Sequence, residues 1–468
     1  MSSIVKESFL YSIGNSLPAL GGFIFLPIYL KFMSVEEYGI VSSMIVIQSI
    51  ASIFFSLAIE RSVMRLYFDF KSKVDKKIFF GSNFISVFVI STFFVLLFLF
   101  SKDLLKNIFS EINFYPYYFC ALLIAYVKCF FFVPKTYLQV NHKVSSYVLL
   151  SFGEFIFVNI LVLYFVVYLK EGAFGMLKGQ LIGIALLIPF LFSIIRKNFI
   201  LNFDFSILKK SLDFSLPIVP TLLTAFVLNL SDRIFIDKYF GLADVGLYSL
   251  AYKVAMISLL AISSVNLAVT PHFFRKLNEK GFLSSQKWSL SFNNNLIKII
   301  GLIILIVLMF SNEIILILFG YDYLESISVV GLLLISYYYA GTNSVNGRLI
   351  QYQKKTHHSM VIDIFCALLN VGLNYLLIPD YGIIGAALAT LISMLFAFKI
   401  NFIYVKYYHG FLPVSLKVHL SIFLGLVVMF IINSFSSENL VLIFTIKIVL
   451  IMVIVFKKFD QLKIFLKQ

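Results

Sequence analysis

Seven basic residues lie inside long apolar stretches of this sequence, where a charge is costly. A Lys or Arg at the centre of a bilayer costs about 2.5 to 3.5 kcal/mol on insertion scales. Each must therefore face a water-filled cavity, face a partner, or extend its long stem to the membrane surface. These seven residues are Arg61, Lys128, Lys178, Arg233, Lys253, Lys298 and Lys447.

Depth in the membrane separates these bases. Lys253 lies about ten residues into its apolar stretch, hence about 15 Å deep in a helix, and is the strongest candidate for a cavity. Lys298 lies within two turns of a helix start, where reaching the membrane surface is favoured. Lys447 is equally deep but lies outside the internal repeat described below, and no role follows for it. For the other four, a cavity and the surface stay open as alternatives.

Acidic side chains accompany two of the bases. Glu60 precedes Arg61, and Asp232 precedes Arg233. Adjacent residues of a helix point about 100° apart, so we expect each of these four groups to meet a charge on another helix rather than its neighbour.

Glu154 is the deepest carboxylate, about ten residues into its apolar stretch. Two alternatives stay open for it. It neutralises a lysine such as Lys128 or Lys253, or it takes up a proton, since an unpaired buried carboxylate tends to a raised pKa.

Signatures of catalysis, metal binding and nucleotide binding are missing from the sequence. It contains no GxxxxGK[ST], no HExxH and no serine triad context, and the adjacent His357 and His358 show no metal-ligand spacing. Cys120, Cys129 and Cys366 fall in apolar stretches, as buried small hydrophobes do. We expect no enzyme activity, no metal and no cofactor.

The composition indicates that most of the chain lies in lipid. Of 468 residues, 60% are hydrophobic and only 13% are charged, whereas about a quarter are charged in soluble domains. The formal charge of +15 is scattered between apolar stretches, which argues against a nucleic-acid partner. We predict an all-α integral membrane protein with about fourteen membrane-spanning helices, at 8–31, 39–62, 78–100, 114–134, 144–169, 173–195, 212–236, 243–270, 292–311, 326–347, 359–378, 382–406, 415–434 and 439–457.

Loop charges predict the orientation. One alternating set of loops and termini carries 26 Lys and Arg residues, and the opposite set carries 5. Positively charged loops resist translocation, so we expect the first set and both termini to be cytoplasmic.

An internal repeat of about 207 residues predicts the domain organisation. KFMSVEEYGIVS at 31–42 resembles KYFGLADVGLYS at 238–249, and EGAFG at 171–175 resembles YGIIG at 381–385. Since each copy holds six helices, an even number, the two copies are parallel. We predict an N-terminal lobe at 1–204, a C-terminal lobe at 205–410, and two accessory helices with a tail at 411–468. Prolines in the first helix of each copy permit kinks; they are Pro18, Pro27, Pro217 and Pro220.

Four segments carry a resemblance to a known family: IERSVMRLYFD (59–69), KSLDFSLPIVP (210–220), SDRIFIDKYFGLADVGLYSLAYKVA (231–255) and YGIIGAALAT (381–390). They resemble the polysaccharide-exporter branch of the multidrug/oligosaccharidyl-lipid/polysaccharide (MOP) transporter superfamily, of the O-antigen flippase type. The resemblance implies a V-shaped pair of lobes around a cationic cavity in a bacterial inner membrane. It also implies that Arg61, Arg233 and Lys253, on matching helices, meet an undecaprenyl-diphosphate-linked glycan moved by alternating access.

The same resemblance implies a polysaccharide polymerase and a chain-length regulator as further partners. Three alternatives stay open beside it. A lipid II flippase also has fourteen helices, and a drug/cation antiporter of the MATE type shares the twelve-helix plan but favours acids in its cavity. An O-antigen polymerase is an enzyme that requires a large periplasmic loop, and no such loop is visible here.

Overall fold

The computed structural model describes residues 21–434 apart from 282 and 411, together with Tyr11, Gly14 and Leu17. Every regular element in this part of the chain is helical. The α-helices are α1 Leu26–Leu30, α2 Val35–Ser56, α3 Ile59–Leu66, α4 Lys73–Phe100, α5 Lys102–Lys106, α6 Phe119–Cys129, α7 Phe132–Val140, α8 Val144–Leu163, α9 Gly172–Ala185, α10 Ile188–Asn198, α11 Phe205–Ser215, α12 Val219–Leu230, α13 Asp232–Phe240, α14 Leu242–Lys280, α15 Gln286–Phe319, α16 Ser326–Tyr352, α17 Thr356–His409 and α18 Leu416–Ser434.

The length and apolarity of these helices fit a multi-pass membrane protein, as predicted. Ten helical segments of the described residues are long and apolar enough to cross a bilayer. One of them, within α17, combines two predicted spans, and Gly382 breaks it with φ 56° and ψ −137°. The predicted span 439–457, part of the first span, Pro18 and Lys447 lie outside the described residues, so the count of fourteen stays a prediction.

Two predicted spans are interrupted rather than continuous. The span predicted at 39–62 ends at Ser56, and the chain passes through Leu57 (φ 43°) and Ala58 (φ 58°) before α3 begins at Ile59. These left-handed conformations are unfavourable for residues with a Cβ, by about 1 to 2 kcal/mol each. The span predicted at 212–236 divides at Pro217, in a short 3₁₀ turn, because proline cannot donate the helical hydrogen bond. It divides again at Ser231.

The chain forms two compact units, unit 1 at Met1–Gly246 and unit 2 at Leu247–Gln468. The core of unit 1 contains fully buried rings on α2, α4 and the segment before α6, among them Phe55, Phe80 and Phe109. Unit 2 contains a smaller cluster in which Phe273 and Leu349 are fully buried. The lobe boundaries predicted at 204 and 410 stay predictions.

A helix crossing inside unit 1 joins equivalent positions of the repeat. A Cβ on Gly39 would collide with the carbonyl of Leu242, and a Cβ on Gly246 would collide with the carbonyl of Val35. Gly246 is offset from Gly39 by the same 207 residues that separate Leu242 from Val35. The two contacts are therefore related by the repeat, which supports its assignment. α2 and α14 approach this closely only because both glycines lack a side chain.

A single methyl group at this crossing is expected to destabilise the protein. Gly39→Ala must push two backbones apart, so we expect a lower midpoint of thermal unfolding in detergent and less folded protein in the membrane. The matched control is Gly372→Ala, where no heavy atom lies within 4 Å of the added Cβ. That substitution should be neutral or stabilising, because Ala favours helix over Gly. Equal midpoints for the two variants would rule out the close crossing.

α18 makes buried polar contacts with the rest of unit 2, which its prediction as an accessory helix did not include. The Asn433 amide donates to the Leu308 carbonyl at 2.8 Å, and the Asn312 amide donates to the Asn433 carbonyl at 2.9 Å. The Tyr338 hydroxyl lies 3.0 Å from His419 Nδ1. The repeat does not predict these contacts, because it shows which helices recur and not which buried polar groups need partners.

A chain that ends at Gly410 is therefore expected to lose folded protein rather than to retain partial function. Its buried Asn312 and Tyr338 side chains would lose their partners, and each such group costs about 1 to 3 kcal/mol. A chain that ends after Ser434 keeps these contacts and serves as the control. Membrane abundance and gel-filtration profiles would compare the two; an intact, abundant protein ending at Gly410 would contradict this assignment.

Candidate functional site

The break between α2 and α3 brings the first two charged candidates to a helix start. Glu60 and Arg61 lie in the first turn of α3, which packs against α7 and α11. Arg61 Nε lies 4.0 Å from Glu60 Oε1, and the Arg61 side chain is 59% exposed. Contrary to the sequence argument, these neighbours do approach each other, because the long arginine stem spans the angle between their Cβ atoms. The contact is long, so the Arg61 guanidinium stays available to a ligand.

Glu154 forms an ion pair with a residue that the sequence analysis placed in a loop. Lys135 Nζ lies 2.8 Å from Glu154 Oε2, and both side chains are mostly buried. The interpretation as an ion pair is thus favoured, with Lys135 on α7 as the partner in place of the lysines considered. One sequence signal could have placed Lys135 in a helix: the apolar pattern continues past Pro134 to Val140.

Lys128 lies beside this pair without forming an ion pair of its own within the described residues. It is half-buried near the end of α6, and Glu154 and Lys135 both act on it electrostatically. Cys129, the next residue of α6, is fully buried. α3, which carries Glu60 and Arg61, packs against α7, which carries Lys135.

These five residues form one group, which we call the Lys128 cluster: Glu60, Arg61, Lys128, Lys135 and Glu154. It holds three bases and two acids, so its net formal charge is positive. Lys128 has no ion pair among the described residues, and Arg61 has only its 4.0 Å contact with Glu60.

Lys178 is held in a complete ion pair. Its ammonium donates to Glu171 Oε1 at 3.0 Å and to Oε2 at 3.1 Å. The ring of Phe165, in a π-helical turn at the end of α8, lies 4.4 Å from the same nitrogen. These contacts favour a structural role for Lys178 over ligand binding.

Arg233 also pairs with its neighbour, against the sequence argument. Its Nη1 donates to Asp232 Oδ1 at 2.8 Å and to the Asn229 carbonyl at 2.9 Å. The prediction was wrong because it assumed an uninterrupted helix. The helix breaks at Ser231, so Asp232 lies at a helix start and its carboxylate turns back to accept the Arg233 backbone N–H at 3.0 Å. Both side chains are buried, which favours an anchoring role within unit 1.

Lys253 lies in unit 2 on α14, as deep along the helix as predicted. It is half-buried and engaged with its surroundings. The described residues hold no group of three or more His, Cys, Asp and Glu side chains that could hold a metal ion. What the Lys128 cluster can do chemically is bind an anion, through charge and hydrogen-bond donation rather than bond making.

Three comparisons with known proteins agree with this architecture. The sequence model of a family described as "Polysaccharide biosynthesis protein" matches residues 30–328. The Lsg locus protein 1 of Haemophilus influenzae is 26% identical over 315 residues, which cover 65% of this chain and 74% of that protein.

Among solved structures, the lipid II flippase MurJ in an inward closed conformation is similar with a TM-score of 0.73 and 18% identity. The similarity covers 97% of this chain and 100% of that one. The Vibrio cholerae MATE transporter VcmN is similar with a TM-score of 0.59 and 15% identity, over 87% and 98% of the two chains. These likenesses confirm the predicted fold class, an all-α bundle of membrane helices.

Proposed function

Because this chain belongs to the polysaccharide biosynthesis protein family, we propose that it is a transporter that flips a lipid-diphosphate-linked oligosaccharide across the inner membrane. The cargo moves from the cytoplasmic to the outer leaflet by alternating access. The observation that carries the proposal is the Lys128 cluster in a chain built from membrane-spanning helices: Lys128 has no ion pair among the described residues, and Arg61 has only a long contact with Glu60. A diphosphate is the ligand that such a group would recognise.

We propose that Arg61 and Lys128 contact the diphosphate of the cargo, and that Lys253 is a further cargo-binding residue. Lys178 and Arg233, which have close acidic partners, stabilise the helices that present these residues. Glu60 and Glu154 set the charge of the cluster; Glu154 does so as the partner of Lys135.

The membrane potential would help to drive export. A cargo with two negative charges gains about 2.3 kcal/mol per charge per 100 mV on moving outward, or about 4.6 kcal/mol in all. The empty carrier, with a positive cluster, would be drawn back by the same field. This energetic argument requires no coupling ion.

The orientation belongs to the same proposal, with both termini and the Lys- and Arg-rich loops in the cytoplasm. We predict that alkaline phosphatase is inactive when fused after Lys77 and active when fused after Asp322. Western blots of the fusions would normalise activity to abundance. An active fusion after Lys77 would overturn the orientation.

Deleting the gene in its own host tests the function itself. We expect loss of a surface polysaccharide and accumulation of lipid-diphosphate-linked repeat units, with both effects reversed by a plasmid copy. Loss of viability with accumulated lipid II would indicate a lipid II flippase instead. Hypersensitivity to cationic drugs would indicate a MATE-type antiporter, and shortened surface chains with normal export would indicate a polymerase.

A further inference from the structure

A buried arginine in unit 2 has no role in the proposed cluster. Arg348 lies near the C-terminal end of α16 and is only 4% exposed. The span predicted at 326–347 ends just before Arg348, which puts this residue in a cytoplasmic loop, but the helix continues past it to Tyr352. Lys354 and Lys355, exposed at the end of the same helix, belong to the loop set predicted to be cytoplasmic.

The guanidinium of Arg348 has no hydrogen bond from Nη1 or Nη2 to any described residue. Its Cζ atom lies 5.5 Å from the centre of the Phe273 ring. That ring packs in turn against Trp288 and Phe292, at centroid distances of 5.6 Å and 5.5 Å. An aromatic face attracts a cation, but it offers no acceptor to the guanidinium donors.

Burial of this kind requires an explanation. A charged group taken out of water is strongly unfavourable unless it is paired and hydrogen-bonded, and native structures pair nearly all such groups. Arg275, at the same end of unit 2, shows the ordinary arrangement, since it is 67% exposed and lies 3.8 Å from Glu279. Arg348 has burial without a pair, so its partner is expected to come from outside the described chain.

We propose that Arg348 binds the phosphate group of a lipid in the cytoplasmic leaflet. The fork of guanidinium donors matches phosphate oxygens bidentately. The Phe273 ring lies against the guanidinium, and the preceding residue of α16, Gly347, has no heavy atom within 4 Å of a Cβ at that position, which leaves open space there. The exposed Lys354 and Lys355 raise the local concentration of anionic headgroups.

Lipid is favoured over a soluble anion because the residue lies in an apolar aromatic wall near a membrane surface. The phosphate has two possible sources, the prenyl phosphate carrier of the cargo or an anionic phospholipid. The inference does not depend on the transported glycan, so it stands or falls separately from the proposed function.

Binding to the full-length chain in detergent tests this inference. The probes are undecaprenyl phosphate and dioleoylphosphatidylglycerol, each titrated against the parent protein, Arg348→Met, Arg348→Lys and the control Arg275→Met. We expect the apparent Kd for at least one lipid to rise tenfold or more in Arg348→Met and to be unchanged in Arg275→Met. Arg348→Lys keeps the charge without the fork and should be intermediate.

The two lipids distinguish the sources. An effect of Arg348→Met on undecaprenyl phosphate alone assigns the carrier, and an effect on phosphatidylglycerol assigns a membrane lipid. Equal Kd values for both lipids in the parent and the Arg348→Met protein would overturn the proposal. If Arg348→Met does not fold, Arg348→Lys carries the test, and unchanged Kd values in that variant would overturn it equally.

Discussion

Export of the glycan is expected to fall at least tenfold when the charge of Lys128 is reversed. Lys128→Glu would place a second carboxylate near Glu154, against an anionic cargo. A hydrogen bond to a charged group contributes about 1.5 to 3 kcal/mol, so even neutral Lys128→Met should reduce export by about tenfold or more. The measurement is surface polysaccharide restored in the deletion strain, normalised to protein in the membrane.

The controls separate charge from folding. Lys128→Arg keeps the charge and should retain much of the export, and exposed Lys197→Met should behave like the parent. Lys253→Glu should also abolish export, because it places a like charge against the anionic cargo. If Lys128→Glu exports as well as the parent at equal abundance, the cluster does not bind the cargo.

A double substitution at Lys135 and Glu154 is expected to restore the thermal stability and the export that either single substitution lowers. Glu154→Gln leaves a mostly buried lysine without its carboxylate and should cost about 1 to 3 kcal/mol, between the values for exposed and buried pairs. Lys135→Gln leaves the Glu154 carboxylate without its lysine. The double variant removes both charges, so its thermal midpoint and export should exceed those of Glu154→Gln.

The alternative role of Glu154, carrying a proton, makes the opposite prediction. A proton carrier cannot be replaced by glutamine whatever its neighbour, so the double variant would remain inactive although it folds. Measuring the thermal midpoint together with export distinguishes the structural role from the proton-carrying role. If the pair is structural, the midpoint and export fall and recover together.

The positions of the membrane spans could be predicted from the sequence because each depends on a long run of apolar residues. The sequence also shows that Gly39 and Gly246 occupy equivalent positions of the repeat. Only the structure shows that the two helices cross at these glycines. A hydrophobic run predicts where a helix crosses lipid, but not which face of that helix packs against another helix.

Three features of the charged residues were beyond the sequence, each for a physical reason. The break at Leu57 and Ala58 contains neither Gly nor Pro, so tertiary packing imposes a conformation that local preference opposes. The ion pair of Glu154 depends on which helix lies beside it. Arg348 looked exposed because charge usually indicates a loop, whereas the structure buries it against Phe273.

The most direct measurement of the central claim is flipping by the purified chain in vesicles. Protein is reconstituted with a prenyl-diphosphate-linked oligosaccharide, and a lectin or glycosidase outside the vesicles reports how much glycan becomes accessible after an inside-negative potential is or is not imposed. The account predicts that the parent chain exposes this glycan, that exposure depends on Lys128, and that a neutral glycolipid with the same sugar is left in place. Equal transport of the neutral glycolipid, or no transport of the diphosphate-linked one by folded protein, would contradict it.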